Sequence, residues 1–421
     1  LISIRLKMID IVPPVVFLIR EQIQEKIILR INSVSHSKAM RSVVRILKFG
    51  KPIIQIEFIN TSIIFIVLIA LYFAPTLIRG KLPLSTAYLY AFYPWASYAG
   101  DIKQDMTFNP VQSDVYDSGI PAMQFTYTEI FKGDYPFWLP YVNGGIPYGL
   151  LFPMEVFSIH LLVIVLAGTK WGTILYMALK MYIVGISFYC YLRYRQFTRL
   201  SAIFGSLTLM FSAHLIVNGM QGVPDSVVFA PAILYFADRF VRGKKYLVYL
   251  GLVILVGVTF ISGFPSVTMY TLIAIALYLI YRNLVESNDV PIRQRIKNLS
   301  LLFLAFIIGI VLTSFTLLPT YEFIKETNIG YRAGRGPTRI ELIQIGRLIN
   351  PNVCGNPVQS DWICEANYNE SAIYVGLLPL MFIPFSLTDK KNVTTSWFFF
   401  IMAVIILMIV FGVGPLYRIV G

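Results

Sequence analysis

The residues best suited to chemistry are Asp101, Asp105, Asp114, Asp117, Glu129 and Asp134, gathered in one polar stretch from Asp101 to Tyr148. A carboxylate partly withdrawn from water can have its pKa raised toward general-base duty, such as taking a proton from a hydroxyl that attacks a sugar. Asp114 and Asp117 are three apart and Asp101 and Asp105 four apart, so on an α-helix each pair shares a face. Either pair could instead hold a divalent cation through water. Carboxylates in a polar loop also serve as solvated groups or helix caps, and each of these acids carries that plainer reading. The stretch ends in Gly133-Asp134-Tyr135-Pro136-Phe137-Trp138-Leu139-Pro140-Tyr141, then Gly144-Gly145-Ile146-Pro147. Prolines and glycines at this density fix a turn-rich path. Trp138 and its aromatic neighbours suit a sugar face or, equally, a membrane-interface anchor.

A second loop adds positive charge, with Lys325, Arg332, Arg335, Arg339 and Arg347. Of these, Arg332, Arg335 and Arg339 fit phosphate recognition, because a guanidinium forks onto phosphate oxygens and stays charged, and a fixed one stabilises a departing phosphate as its charge grows. Anionic lipid head groups would attract the same residues. The three histidines, His36, His160 and His214, fall at no spacing that makes a metal site.

Most of the chain serves to place these loops at a membrane. Of 421 residues, 57% are hydrophobic and 14% charged, and the mean hydropathy is +0.69. Continuous apolar runs of roughly 17–21 residues are long enough to cross a hydrocarbon core, which chooses helices over a barrel. The net charge of +13 fits the positive-inside bias rather than a nucleic-acid partner. Basic residues before 58–78 put the N-terminus inside, with 1–57 a cytoplasmic, amphipathic basic segment. The loop 79–150 is then outside. Arg193, Arg195 and Arg199 mark the inner end of 171–192, so 150–168 must lie in the interface or re-enter rather than cross. Further crossings follow at 200–217, 226–241, 246–262, 265–281, 299–318, 371–387 and 395–413, leaving 319–370 as a second outer loop. That gives about nine crossings plus one embedded helix. Asp225 reads as a helix-start residue, capping the N-terminus or partnering its dipole. Cys190 reads as inert packing, while Cys354 and Cys364 share an outer loop in which a disulfide can form. A start at Leu1 and a stop just after a span suggest a fragment.

The motif Asp114…Pro121…Glu129…Gly133…Pro136-Phe-Trp138-Leu-Pro-Tyr141…Gly144-Gly145-Ile-Pro147 resembles the first outer loop of the YfhO-type family. Gly263-Phe-Pro265, Leu318-Pro319-Thr320-Tyr321-Glu322 and Asn369-Glu370…Tyr374-Val-Gly376-Leu-Leu-Pro379 extend the resemblance over roughly 58–421. Leu139 departs from it, standing where the family usually has Asn. The resemblance implies an all-α, polytopic membrane protein of the GT-C class, with 58–421 the transmembrane domain. It further implies a glycosyltransferase that takes sugar from a polyprenyl-phosphate donor and gives it to an envelope glycan or lipid acceptor on the extracytoplasmic side. Asp114 fits the catalytic carboxylate, with Asp117 second. Arg332, helped by Arg335, fits the donor phosphate, and Glu129, Trp138 and Glu370 stand in motifs facing substrate. No metal ligand is assigned beyond the candidates Asp101 and Asp105, and no organic cofactor is expected. Membrane lipids are the remaining partners. The rival functions are a transporter or flippase of a lipid-linked glycan, and a non-catalytic scaffold. The near absence of charge from the span centres argues against transport.

Overall fold

A backbone surrounded by hydrocarbon must bond to itself, and a helix does so locally. The computed structural model describes residues 52–83, 86–101, 109–142, 144–151, 159–287, 289–326 and 340–413. Among them the regular structure is helical, apart from an isolated bridge between Leu139 and Ile146. The segment 1–51 and the residues Asp105, Arg332, Arg335 and Arg339 lie outside the described residues.

The principal helices are α1 (Pro52–Arg79), α2 (Ile120–Lys132), α3 (Ile159–Tyr194), α4 (Arg199–Met210), α5 (Ala213–Val217), α6 (Ala230–Gly243), α7 (Tyr246–Ser262), α8 (Pro265–Tyr281), α9 (Ile292–Val311), α10 (Ser314–Lys325), α11 (Leu377–Thr388) and α12 (Val393–Val410). Five helical stretches among the described residues are long and apolar enough to span a membrane: Ile56–Arg79, Leu161–Tyr194, Pro265–Glu286, Ile292–Val311 and Val393–Val410. They coincide with five of the expected crossings. The other four fall on shorter elements. The stretch 200–217 is divided between α4 and α5, and 226–241 between a turn at Asp225–Val228 and the 14-residue α6. A 14-residue helix is only about 21 Å long, short of a hydrocarbon core about 30 Å thick.

The helix ends follow local chemistry. Gly80, in a left-handed conformation, closes α1: its N–H bonds Leu77 O at 3.2 Å and that of Lys81 bonds Thr76 O at 3.1 Å. Gly133 repeats this double closure on α2 with Ile130 O and Glu129 O. Within α3, Gly168 has φ 75° and breaks the run of 36 residues. The break is sharp, because a Cβ added at Gly172 would sit 2.9 Å from Ile164 Cα, whereas residues eight apart in a straight helix are about 12 Å apart. The pieces on either side of Gly168 are therefore separate, in keeping with a second piece that crosses alone.

α3 is the hub and touches α1, α2, α4 and α6. One core cluster joins Phe65, Ile69 and Phe73 of α1 to Met181 and Val184 of α3 and to Ala202 and Met210 of α4. A second joins Ile233, Val248, Leu252, Val256, Leu272, Ile275 and Leu302 across α6 to α9. α7 and α9 approach through small residues, since a Cβ at Gly257 would lie 3.2 Å from Gly309 O. By contrast α11 and α12 bury no side chain.

The crossing of α7 and α9 gives a direct test. A Cβ at Gly309 would meet Val256 Cβ at 2.8 Å and the Val253 carbonyl at 2.9 Å, and a carbonyl inside a helix cannot step aside. Gly309→Ala is expected to destabilise by about 1–3 kcal/mol, read as a lower unfolding midpoint in detergent. Gly243→Ala, where the nearest atom is 3.9 Å away, serves as the neutral control.

Candidate functional site

Two long loops meet at one end of the bundle. In the first, Asn109 caps the turn Pro110–Gln112, its Oδ1 accepting from Val111 N at 3.0 Å. The chain then passes Asp114, makes a π-type turn over Val115–Gly119 and enters α2 at Ile120. In that turn the Ile120 N–H reaches back five residues to Val115 O. The register is not that of an α-helix, so the face expected to unite Asp114 and Asp117 does not form in that way. Both side chains are exposed. Their common neighbour is Tyr88, which the sequence did not single out. Its hydroxyl donates to Asp117 Oδ2 at 3.3 Å, and its ring stacks on Tyr116 with centroids 5.4 Å apart. Burial pushes the Tyr88 phenol up, and the charges of Asp117 and Asp114 push it the same way, so it stays a proton donor.

The glycine- and proline-rich end packs on α2 through Ala122, Leu139 and Tyr148. The Leu139–Ile146 bridge closes it as a tight turn. Gly145 has φ 115°, and a Cβ there would fall 2.4 Å from the Trp138 ring. Trp138 thus packs closely against Gly145, yet stays 56% exposed. Glu129 pairs with Lys132 at 2.7 Å across one exposed turn, where solvent screens the pair. Asp101 ends the turn Trp95–Asp101, and its side chain lies outside the described residues. Among the described residues no three His, Cys, Asp or Glu side chains gather as a metal site.

The second loop is tied by local bonds. Cys354 and Cys364 form the disulfide that their shared loop allowed. Arg347, one of the basic residues of this loop, is 1% exposed and bound within it. It donates to Pro351 O at 3.1 Å, Tyr368 O at 3.0 Å and Ser371 Oγ, and its guanidinium lies over the rings of Tyr368 and Trp362. Glu341 accepts from the Glu365 N–H at 3.0 Å and from Gln344 Nε2 at 2.8 Å, and these bonds hold its carboxyl below the ordinary value.

Amide side chains stitch the loops together. Asn109 Nδ2 donates to Asn369 Oδ1 at 3.2 Å. Asn218, at the end of α5, donates to Asn369 O at 3.2 Å, and Gln112 Nε2 donates to Val217 O at 2.6 Å. Ala213 N bonds Tyr374 O at 2.8 Å. Asn369 is buried at the seam and Glu370, next to it, is exposed. The start of the Asp114 segment and the Asn369-Glu370 motif are therefore neighbours.

Beneath the seam lies a buried charge pair. Lys180 of α3 meets Asp225 Oδ1 at 3.0 Å, with side chains only 6% and 5% exposed. Lys180 Nζ also donates to Gln221 O at 2.8 Å and rides 4.0 Å above the Tyr176 ring, while the Tyr176 hydroxyl donates to Asp225 Oδ2. Asp225 stands in the first turn of its short helix, as a dipole partner would, and it also neutralises a buried cation. Lys180 is the charge that the near-neutral span centres do hold, within the stretch Leu161–Tyr194. A lone Lys in an apolar run was the available signal. Two small cavities flank it, one lined by Tyr72, Met177 and Gly219 and the other by Tyr176, Asp225 and Ser262.

Long apolar helices, a lateral surface rich in large hydrophobics and polar loops gathered at one end define a helical membrane protein that crosses the bilayer more than once. The family model for the bacterial membrane protein YfhO matches residues 151–419, and the chain belongs to that family of glycosyltransferase-like membrane proteins. The match begins just after the loop that carries Asp114 and Trp138. Neither a curated protein nor a solved structure matches the chain.

Two measurements probe this geometry. Lys180→Met and Asp225→Leu should each cost about 3–5 kcal/mol, because each strands a buried charge, and the double variant should recover most of the loss. Unfolding midpoints in detergent read the cycle, and additive losses would show that the pair is not coupled. Glu341 gives a pH dependence. Its folded value is depressed, so its contribution is present above the ordinary carboxylate value of about 4.3 and is lost as pH falls through the folded value. Hydrogen exchange at the Glu365 amide, corrected for the intrinsic rate, should lose protection on that descent, and Glu341→Gln should abolish the pH dependence.

Proposed function

We propose that this chain transfers a sugar from a polyprenyl-phosphate donor to an envelope glycan or lipid acceptor, on the extracytoplasmic side of the membrane and with inversion. The acceptor oxygen forms a bond to the anomeric carbon as the carbon–oxygen bond to the lipid phosphate breaks. The hydroxyl proton passes to Asp114, and the phosphate leaves with its negative charge. Arg332 and Arg335 are the groups assigned to hold that phosphate, and Glu129, Trp138 and Glu370 are assigned to the substrates. Asp117, whose Oδ2 accepts from the Tyr88 hydroxyl, is the second candidate to take the acceptor's proton. Asp101 and Asp105 are the carboxylates available if a divalent cation takes part.

The observation that carries this reading is the seam. The loop bearing Asp114 is bonded through Asn109 to Asn369, beside Glu370, in a chain of the YfhO family. Catalysis by a bisubstrate enzyme needs groups from separate segments held together in this manner. The positive-inside count supports the assigned side. One observation favours the transporter reading instead: Lys180 and Asp225 form a buried ion pair at the core of a spanning stretch, the kind of pair that marks translocation pathways.

Envelope glycans analysed by mass spectrometry separate the two. Cells with the complete gene, a deletion, Asp114→Asn, and the Lys180→Met/Asp225→Leu double variant would be compared at equal protein level. Asp114→Asn should lower the affected hexose or N-acetylhexosamine by about 10²–10⁴-fold, the loss typical of removing a general base. An unchanged glycan in Asp114→Asn, with loss in the deletion and in the double variant, would overturn the assignment and favour transport.

A further inference from the structure

The segment that opens the second loop's described part is built inside out. The short 3-10 helix Leu342–Leu348 buries its polar residues, with Gln344 and Arg347 each 1% exposed. Its large aliphatic residues point outward: Leu342 is 60% exposed, Ile343 53%, Ile345 42% and the following Ile349 65%. A water-facing element shows the reverse arrangement, and four such residues in a row of eight form a contiguous apolar patch. The helix cannot simply turn over. Arg347 is fixed by Pro351 O, Tyr368 O and Ser371 Oγ and is covered by the Trp362 and Tyr368 rings. Glu341, just before the helix, accepts a bond from Gln344 within it.

The place of this patch says what covers it. Ile340 N contacts Val410 O at 3.5 Å, where the span Val393–Val410 ends. That span buries none of its own side chains within the described fold, so its surroundings are apolar. The patch therefore begins at the level where a lipid-facing helix stops. We propose that Leu342, Ile343, Ile345 and Ile349 lie in the membrane interface and contact lipid acyl chains, so that part of the second loop is a membrane-embedded element rather than a solvated connector. Such a helix sinks its apolar side to the head-group and acyl boundary and keeps its polar side above it. Here the polar side carries Arg347 and the disulfide-closed turn, so the membrane would set the depth of the Asn369 seam.

Site-directed spin labelling in lipid nanodiscs tests this. In a Cys190→Ser background that retains the Cys354–Cys364 disulfide, nitroxides would be placed by Ile343→Cys, Ile345→Cys and Ile349→Cys in separate full-length proteins. Gln359→Cys gives a water reference, and Val404→Cys on α12 a lipid reference. Collision rates with oxygen, which concentrates in lipid, and with a water-soluble nickel chelate would be measured for each. The expected result is an oxygen-to-nickel ratio several-fold above that of Gln359→Cys and approaching that of Val404→Cys. A ratio like that of Gln359→Cys would place the patch in water and overturn the proposal. Low collision with both reagents would show that protein covers it and would overturn it equally. Three label positions guard against one variant that fails to fold.

Discussion

A cation carried through an apolar interior must meet an anion there, and this requirement organises the molecule around α3. Two such cations are on the helix and a third, Arg195, directly follows its last residue. Lys180 meets Asp225 at 3.0 Å, Arg193 meets Glu57 at 2.6 Å and Arg195 meets Glu286 at 3.0 Å. Each partner comes from a different part of the chain: the turn after α5, α1, and the π-type turn Arg282–Glu286 that follows α8. Burying an ion costs several kcal/mol unless its partner is well placed, so each pair restricts how its helix can sit against α3. Arg282 extends the last pair to Asp238 at 2.7 Å and so brings in α6. The apolar contacts between these helices are plentiful but forgiving, whereas the charges fix register.

This arrangement gives the bundle two polar ends with different characters. The end near Arg193 and Arg195 is a closed network, in which carboxylates and guanidinium groups answer one another and Thr395 of α12 adds a bond to Glu286. The loop end is looser. It relies on amides, namely Asn109, Gln112, Asn218 and Asn369, and leaves carboxylates such as Asp114, Asp117 and Glu370 facing solvent. The first end resists change and the second is open to solvent. Lys180 and Asp225 lie between the two, just under the amides.

Much of this organisation could be read from the residues. The five long spans follow from uninterrupted apolar runs, and the Cys354–Cys364 bridge from two thiols in one loop. Both long loops stood out by length. What stayed hidden depended on contacts distant in sequence. The pairing of Asp225 was hidden because Lys180 lies 45 positions before it, and only packing of α3 joins them. Tyr88 carried no signal, since its tie to Asp117 also waits on folding. The division of 200–217 was invisible to an average of hydrophobicity, which does not register a break at Phe211 and Ser212. Arg347 was grouped with its basic neighbours because composition cannot separate a guanidinium bound by carbonyls from one open to phosphate. The aliphatic patch at 342–349 was too short and irregular to read as a membrane element.

The disulfide has a consequence for how the loops relate. Cys354 and Cys364 are separated by ten positions within one loop. Closing so short a ring removes about 3 kcal/mol of chain freedom from the unfolded state, but it fastens the loop only to itself. Nothing covalent crosses the seam. There Asn109 and Asn218 hold Asn369 through hydrogen bonds, each worth about 1 kcal/mol net. The two loops are therefore each firm within and lightly latched to one another, so that a bulky ligand could part them at small cost and leave both folded.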